Sequence, residues 1–258
     1  MIRTIIHGAG RMASRVLAQM PENREYVVAG IVSRTKPDSD DAQEAAGIDW
    51  FAALADFNAD ADLLIDFTLP GGTGVAAAWC ERNGVPMVSG TTGLTDEDIE
   101  ALEKASLKVP VLWAPNLSHG VALLTSLVSQ AANVLGLKAN ITISDIHHEH
   151  KIDAPSGTAL ALAEAVMQGR SQPLENLLAD DRLGSLDEGE EGELAFLSVR
   201  EGEVIGEHTV SFELPGEFVE ISHKAIDRDV FAIGALKAGS WLVSQPPGYY
   251  TTSDWLNP

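Results

Sequence analysis

The chain has a single cysteine, few basic residues, no internal repeat and no low-complexity linker. One cysteine, Cys80, excludes an internal disulfide, and its setting in the apolar run Ala76-Ala77-Ala78-Trp79-Cys80 favours a buried thiol over a nucleophile. Only 17 Lys and Arg stand against 38 Asp and Glu, a formal charge of −21. That balance argues against nucleic acid or an anionic membrane as partner, because basic surface is what displaces their counterions. No stretch reaches the roughly 18 to 20 uninterrupted apolar residues of a membrane span. The start, Met1-Ile2-Arg3-Thr4-Ile5-Ile6, lacks the longer apolar core of a signal peptide, so a cytoplasmic protein is expected. Much of the acidity lies between Glu175 and Glu193, where only Arg182 is basic, and reads as a solvated loop. In so acidic a chain an anionic ligand needs a local basic pocket, which makes clustered histidine, lysine and arginine informative.

With 258 residues, 45% of them hydrophobic, the chain can bury one large core or two modest ones. Its first 115 residues alternate short β-branched runs with helical patterns, as successive β-α units on a parallel sheet do. Strands are expected at Thr4 to His7, Val27 to Val32, Leu63 to Phe67, Pro86 to Ser89 and Val111 to Trp113. Helices are expected at Arg11 to Met20, Gly74 to Arg82 and Asp96 to Ala105, with Thr95 as a cap before Glu97 and Asp98. Beyond Asn116 come a long apolar helix, Gly120 to Leu135, a strand, Asn140 to Ile146, and a helix from Ser156. Leu194 to Val199, His208 to Phe212 and Phe218 to His223 then alternate as antiparallel strands do. A last helix, Val230 to Leu242, precedes a Pro-Pro-Gly turn and an aromatic tail. The fold class is α/β: an N-terminal Rossmann dinucleotide-binding half followed by a C-terminal α+β half whose strands could form an open mixed sheet.

After the first strand, Gly8-Ala9-Gly10-Arg11-Met12-Ala13 fits the G-x-G-x-x-G/A fingerprint and opens the first helix. Small residues let the backbone approach a pyrophosphate, and free amides at the helix start point at its charge. At the end of the second strand a ribose-binding acid is replaced by Ser33-Arg34-Thr35-Lys36. Arg34, helped by Lys36, suits a 2′-phosphate, so NADPH is expected to serve at least as well as NADH. Solvated loop cations are the alternative.

The most informative stretch is His147-His148-Glu149-His150-Lys151-Ile152-Asp153-Ala154-Pro155-Ser156-Gly157-Thr158-Ala159-Leu160. It gathers donors and titratable groups at a strand end, then opens a helix with hydroxyls and free amides, a set that can hold carboxylates and deliver a proton. A metal reading also exists for these histidines, but no further ligand at recognisable spacing accompanies them, and no metal is expected.

Here the chain resembles the dihydrodipicolinate reductase (4-hydroxy-tetrahydrodipicolinate reductase) family, whose HHxxKxDAPSGTAL pattern is matched by His147, His148, Lys151 and Asp153 to Leu160. Further likeness lies in Gly10-Arg11-Met12, Asp66-Phe67-Thr68 with Pro70, Gly90-Thr91-Thr92-Gly93, Ala114-Pro115-Asn116, Ser198-Val199-Arg200, Gly206-Glu207-His208 and His223-Lys224-Ala225. The nucleotide loop departs from the family's G-x-x-G-R-M-G form by one residue, with His7 or Gly8 in the first glycine's place and Ala13 in the last. Gly120-Val121-Ala122 replaces a Gly-Val-Asn.

The resemblance implies an NAD(P)H-dependent oxidoreductase of lysine and diaminopimelate biosynthesis. It would reduce the cyclic product of pyruvate and aspartate semialdehyde, with loss of water, to tetrahydrodipicolinate. By it His147 falls on the general acid and Lys151 on a residue for substrate binding and proton donation. His148, Lys151, Ser156, Gly157 and Thr158 grip the substrate carboxylates. Gly8, Ala9, Gly10, Arg11, Met12 and Arg34 bind the nucleotide, and Phe67, Thr68, Gly90, Thr91, Thr92, Ala114, Pro115 and Asn116 lie at strand ends on the nicotinamide side. The resemblance also implies that the last helix, Val230 to Leu242, and the tail Tyr249 to Leu256 return to the dinucleotide-binding domain (1–117 plus 228–258, against 118–227 for the substrate-binding and oligomerisation domain), and a homotetramer built through the C-terminal sheet. The layout in two halves leads one to expect a cleft closing about hinges at Asn116 to Gly120 and Ala225 to Arg228. Another NAD(P)-dependent dehydrogenase, acting on an amino acid, and a non-enzymatic NADPH-binding sensor with a protein partner are the rival readings.

Overall fold

The computed structural model describes residues 1–36, 47–172 and 192–256. In chain order its elements are β1 (Ile2–His7), α1 (Arg11–Gln19), β2 (Tyr26–Val32), β3 (Trp50–Phe51), β4 (Leu63–Asp66), α2 (Gly72–Asn83), β5 (Met87–Ser89), α3 (Asp96–Ser106) and β6 (Pro110–Trp113). There follow α4 (His119–Leu135), β7 (Asn140–His147), α5 (Gly157–Gly169), β8 (Leu194–Arg200), β9 (Gly206–Leu214), β10 (Glu217–Ala225), α6 (Asp229–Leu242), β11 (Gly248–Tyr250) and α7 (Thr252–Leu256). They divide into two compact units, Met1–Ser118 with Arg228–Pro258, and His119–Asp227.

The first unit is a seven-stranded sheet in the order β11-β6-β5-β4-β1-β2-β3, every pair parallel. Its middle is the doubly wound order in which ligands bind beyond the carboxyl ends of the strands. Apolar runs without alternation fit a sheet buried on both faces. Ile6, Leu63 and Ile65 pack with Val16, Leu17, Ala232 and Leu236 of α1 and α6 on one face. Ile5, Leu64 and Met87 pack with Ala76, Cys80 and Leu102 of α2 and α3 on the other. Full burial of each such Ile or Leu contributes about 1.5 to 3 kcal/mol. The Cys80 thiol is buried in this second layer, and burial pushes its pKa well up. Thr95 caps α3 in a reciprocal capping box with Asp98.

The second unit is a four-stranded sheet in the order β10-β9-β7-β8. Leu124, Val128 and Ala132 of α4 and Ala159, Leu162 and Val166 of α5 pack against Ile141, Ile143, Phe196, Val210 and Phe212. β9 runs antiparallel to β7 and β10, whereas β8 runs parallel to β7, which corrects the antiparallel expectation for Leu194 to Val199. Alternation marks a strand with one buried face and is blind to direction, which the long return from α5 sets.

Two more strands escaped the sequence pattern. Trp50–Phe51 and Gly248–Tyr250 add to the two edges of the first sheet, too short for periodicity to register. Phe67 lies just past the end of β4. The acidic stretch expected as a loop falls outside the described residues up to position 191. His119–Lys138 reaches a mean hydropathy of 1.5, long and apolar enough to cross a membrane by composition, although Thr125, Ser126, Ser129, Gln130 and Asn133 interrupt it. Its Leu124, Val128 and Ala132 serve the core of the second unit.

Candidate active site residues in each unit

In the first unit β1 turns into α1 through Gly8-Ala9-Gly10. Gly8 has φ +114°, and a Cβ there would lie 2.7 Å from the Phe67 carbonyl oxygen, so both torsion and space demand glycine. Gly10 is the extended N-cap of α1, without a side-chain cap, and no acid lies in the first turn. The amides of the first turn, at Arg11 and Met12, therefore carry the positive end of the helix toward whatever anion approaches. The start of α2 is used differently: the Gly71 and Gly74 amides donate to Asp98 at 2.8 and 2.7 Å. Of these two helix starts, only that of α1 is left without a side-chain acceptor.

The strand ends beside this loop are tied together by Asp66, which is fully buried. Its Oδ1 takes hydrogen bonds from the Thr68 hydroxyl (2.7 Å) and amide (3.3 Å) and pairs with His7 Nδ1 at 3.0 Å. Its Oδ2 accepts from Thr73, Ser89 and Thr91 hydroxyls at 2.7, 2.8 and 3.0 Å. Burial opposes the charged carboxylate, yet His7 and the hydroxyl donors outweigh it and hold the pKa below the usual range. The hub orders Phe67, Thr68, Gly90 and Thr91, with Phe67 against Gly90 and the Thr68 amide 3.1 Å from Thr91 Oγ1. Thr92 and Pro115 are exposed at the ends of β5 and β6, Ala114 is buried, and Asn116 Oδ1 accepts from the Ser118 amide at 2.9 Å. Beyond β2, Ser33 donates to the Thr35 carbonyl at 2.7 Å and accepts from Trp50 Nε1 at 3.1 Å. This turn leaves Arg34 and Lys36 exposed, with no ion pair to another described residue.

In the second unit the buried face of β7 runs Ile141, Ile143, Asp145, His147, so the apolar row turns polar at the strand's carboxyl end. His147 Nδ1 lies 3.0 Å from Asp145 Oδ1. Asp145 also accepts from Ser198 Oγ (2.6 Å), Arg200 Nη1 (2.9 Å) and the Ser156 amide (3.4 Å). Burial again opposes the carboxylate, but His147, Ser198 and the Arg200 charge hold its pKa well below the usual range. Arg200 further grips the Lys151 and Asp153 carbonyls, fixing the loop after His147.

Lys151 Nζ sits 2.8 Å from Asp153 and is half-buried. The His148 amide donates to the Val204 carbonyl at 2.7 Å. Ser156 caps α5, accepting from the Ala159 amide at 3.1 Å, and Gly157 and Thr158 form the first turn, which holds no acid. His208 from β9 lies edge-on to His147, ring centres 5.1 Å apart, its Nε2 3.4 Å from Ser156 Oγ. Burial, with His147, His223 and Lys151 nearby, pushes its pKa down to about 3, so this imidazole is neutral.

The second unit therefore gathers His147, Lys151 and Ser156 with Gly157 and Thr158 about one strand end, and the first gathers the glycine loop with the Asp66 strand ends. Sequence reasoning passed over Asp66, His7, Asp145 and His208 as site members and gave Ser198 and Arg200 no role. For Asp145 a signal existed: two residues before His147 on a strand is the same face. Among the described residues no group of three or more His, Cys, Asp or Glu side chains is placed to hold a metal ion.

Family models described as dihydrodipicolinate reductase, N-terminus, and dihydrodipicolinate reductase, C-terminus, match residues 2–117 and 120–256. A 4-hydroxy-tetrahydrodipicolinate reductase of Halorhodospira halophila is 41% identical, the match covering 97% of each chain. One of Psychrobacter arcticus is 39% identical, covering 98% of this chain and 93% of the relative. A dipicolinate-bound dihydrodipicolinate reductase structure from Paenisporosarcina sp. TG-14 superimposes with a TM-score of 0.72 over 97% of both chains, at 24% identity, a likeness of fold.

Proposed function

The chain belongs to the dihydrodipicolinate reductase family, and from that premise we propose that it reduces 4-hydroxy-tetrahydrodipicolinate, with loss of water, to tetrahydrodipicolinate in lysine and diaminopimelate synthesis. The observation that carries this reading is the strand-end cluster in the second unit, a buried, carboxylate-paired imidazole beside a lysine and an uncharged helix start. Such a set suits a small dicarboxylate and the delivery of a proton.

The residues present fit a dinucleotide. The uncapped start of α1 and the open Gly10, with no protein atom within 4 Å of where its Cβ would be, accept a pyrophosphate through Gly8, Ala9, Gly10, Arg11 and Met12. Arg34 holds a 2′-phosphate, which supports NADPH beside NADH. Phe67, Thr68, Gly90, Thr91, Thr92, Ala114, Pro115 and Asn116 line the nicotinamide side. The bound cofactor supplies the hydride. His147 gives the proton, while Lys151, His148, Ser156, Gly157 and Thr158 hold the carboxylates so that little motion is left before reaction.

A coupled assay tests this: with dihydrodipicolinate synthase, pyruvate and aspartate semialdehyde, reduced cofactor absorbance falls only when this protein is added. No loss of absorbance would end the proposal. In the same assay His147→Ala lowers turnover by about 100-fold with cofactor affinity unchanged. Wild-type turnover at saturating substrate would remove its acid role.

We also place the protein in the cytoplasm as a homotetramer joined through the open face of the four-stranded sheet. Supporting this, the register puts Leu197 and Phe218, 43% and 68% exposed, on the face opposite Phe196 and Phe212. Apolar side chains on an open sheet call for cover. Sedimentation as a monomer would contradict it.

A further inference from the structure

We propose that Asp145 is the positioning residue for His147, holding the imidazole so that Nδ1 keeps its proton and Nε2 is the nitrogen that gives one to substrate. This rests on the acid role assigned to His147 above.

Its partners keep the Asp145 carboxylate fixed and ionised against the cost of burial. It is fully buried, and Ser198, Arg200 and the Ser156 amide join His147 in occupying its two oxygens. Arg200 is itself anchored to the Val199, Lys151 and Asp153 carbonyls, so the partner that keeps Asp145 charged does not wander. The groups facing His147 are Asp145 on its own strand, Arg200 opposite it on β8 and the neutral His208 from β9, while Lys151 and Asp153 lie in the loop that Arg200 holds. His223 of β10 lies behind His208, ring centres 6.4 Å apart. Glu207 pairs with Ile146 and so lies on the opposite face of the sheet. Among the described residues Asp145 is therefore the one anion bonded to the ring.

With Nδ1 so engaged, proton transfer breaks the Nε2–H bond, its electron pair staying on nitrogen. The proton forms a bond at the substrate position left electron-rich by hydride addition. The imidazole ends neutral, Nδ1–H still directed at Asp145. The carboxylate supports the charged imidazolium before transfer and fixes the tautomer after it, the division of labour an acid partner gives a catalytic histidine. A Cβ on Gly206 would sit 3.1 Å from Nε2, so this residue keeps the donating side of the ring clear of side chain.

The test uses Asp145→Asn in the full-length protein. Turnover falls by about 100-fold while both Michaelis constants stay within about threefold. In an Asp145→Asn, His147→Gln double variant the first change costs almost nothing further, since its effect acts through the ring. Additive losses would overturn the proposal. Should the variant fail to fold, nitrogen-15 spectra of the neutral His147 ring in the wild-type protein decide instead: an Nδ1–H tautomer supports the assignment and an Nε2–H tautomer refutes it. If His147→Ala keeps full turnover, the acid reading itself fails. If it loses turnover while Asp145→Asn keeps it, only the Asp145 role fails.

Discussion

Replacing Asp66 by asparagine keeps the shape of a buried side chain and removes its charge, so it isolates what the carboxylate does for the strand ends beneath the nucleotide loop. In the native protein Oδ1 meets an imidazole, a hydroxyl and a backbone amide, while Oδ2 meets three hydroxyls. The amide nitrogen of asparagine is best tolerated at the Oδ2 position, because hydroxyls can turn from donor to acceptor and a backbone amide cannot. Its two hydrogens then serve three hydroxyls. Hydrogen bonds to a charged group contribute about 1.5 to 3 kcal/mol each and neutral ones about 1 kcal/mol. Asparagine makes all six bonds neutral, and because it also removes the cost of burying a charge the net loss is about 2 to 4 kcal/mol, or a fall in Tm of about 5 to 15 °C for a unit of this size.

The native pKa of Asp66 lies below its unfolded value of about 3.9. Its contribution is thus complete above that value and is lost as pH falls through the lower folded value, where both states bind the proton. Calorimetry of the two proteins from neutral pH downward reads both effects: a lower Tm in Asp66→Asn at pH 7, and a gap that narrows in acid. A Tm within 2 °C of the wild type at pH 7, or a gap that stays constant below about pH 3, would refute this account of the hub.

Other expectations are simpler. Gly8→Ala forces a side chain into φ +114° and against the Phe67 carbonyl, so stability drops by more than about 2 kcal/mol and cofactor binding by fluorescence titration is lost. Arg34→Ala raises the Michaelis constant for NADPH by about tenfold and leaves that for NADH within about twofold; equal effects on both would remove Arg34 from the 2′-phosphate. Lys151→Ala raises the substrate constant and lowers turnover, each by about tenfold or more, while Tm changes little because its pair with the largely exposed Asp153 is weak. A large Tm loss with normal kinetics would show Lys151 to be structural.

The parallel sheet, its helices and the order of β-α units were legible in the amino-acid pattern because period and capping are local properties: Thr95 and Asp98 announce α3, and β7 alternates through Ile141, Ile143 and Asp145. The glycine loop and the His147 to Thr158 segment were legible for the same reason, since each is contiguous in sequence. What stayed hidden is what comes from afar. Asp66 draws His7 from β1, Ser89 from β5 and Thr91 from just beyond it, and Asp145 draws Ser198 and Arg200 from β8, 53 and 55 residues on. The direction of β8 and the edge strands β3 and β11 likewise depend on partners that no window contains. Sequence by itself determined which chemical groups the chain carries and the order of its longer strands and helices. Only tertiary structure decided which carboxylates are buried, how many donors surround them and hence that they remain charged, because desolvation and hydrogen bonding exist only once the strands are side by side.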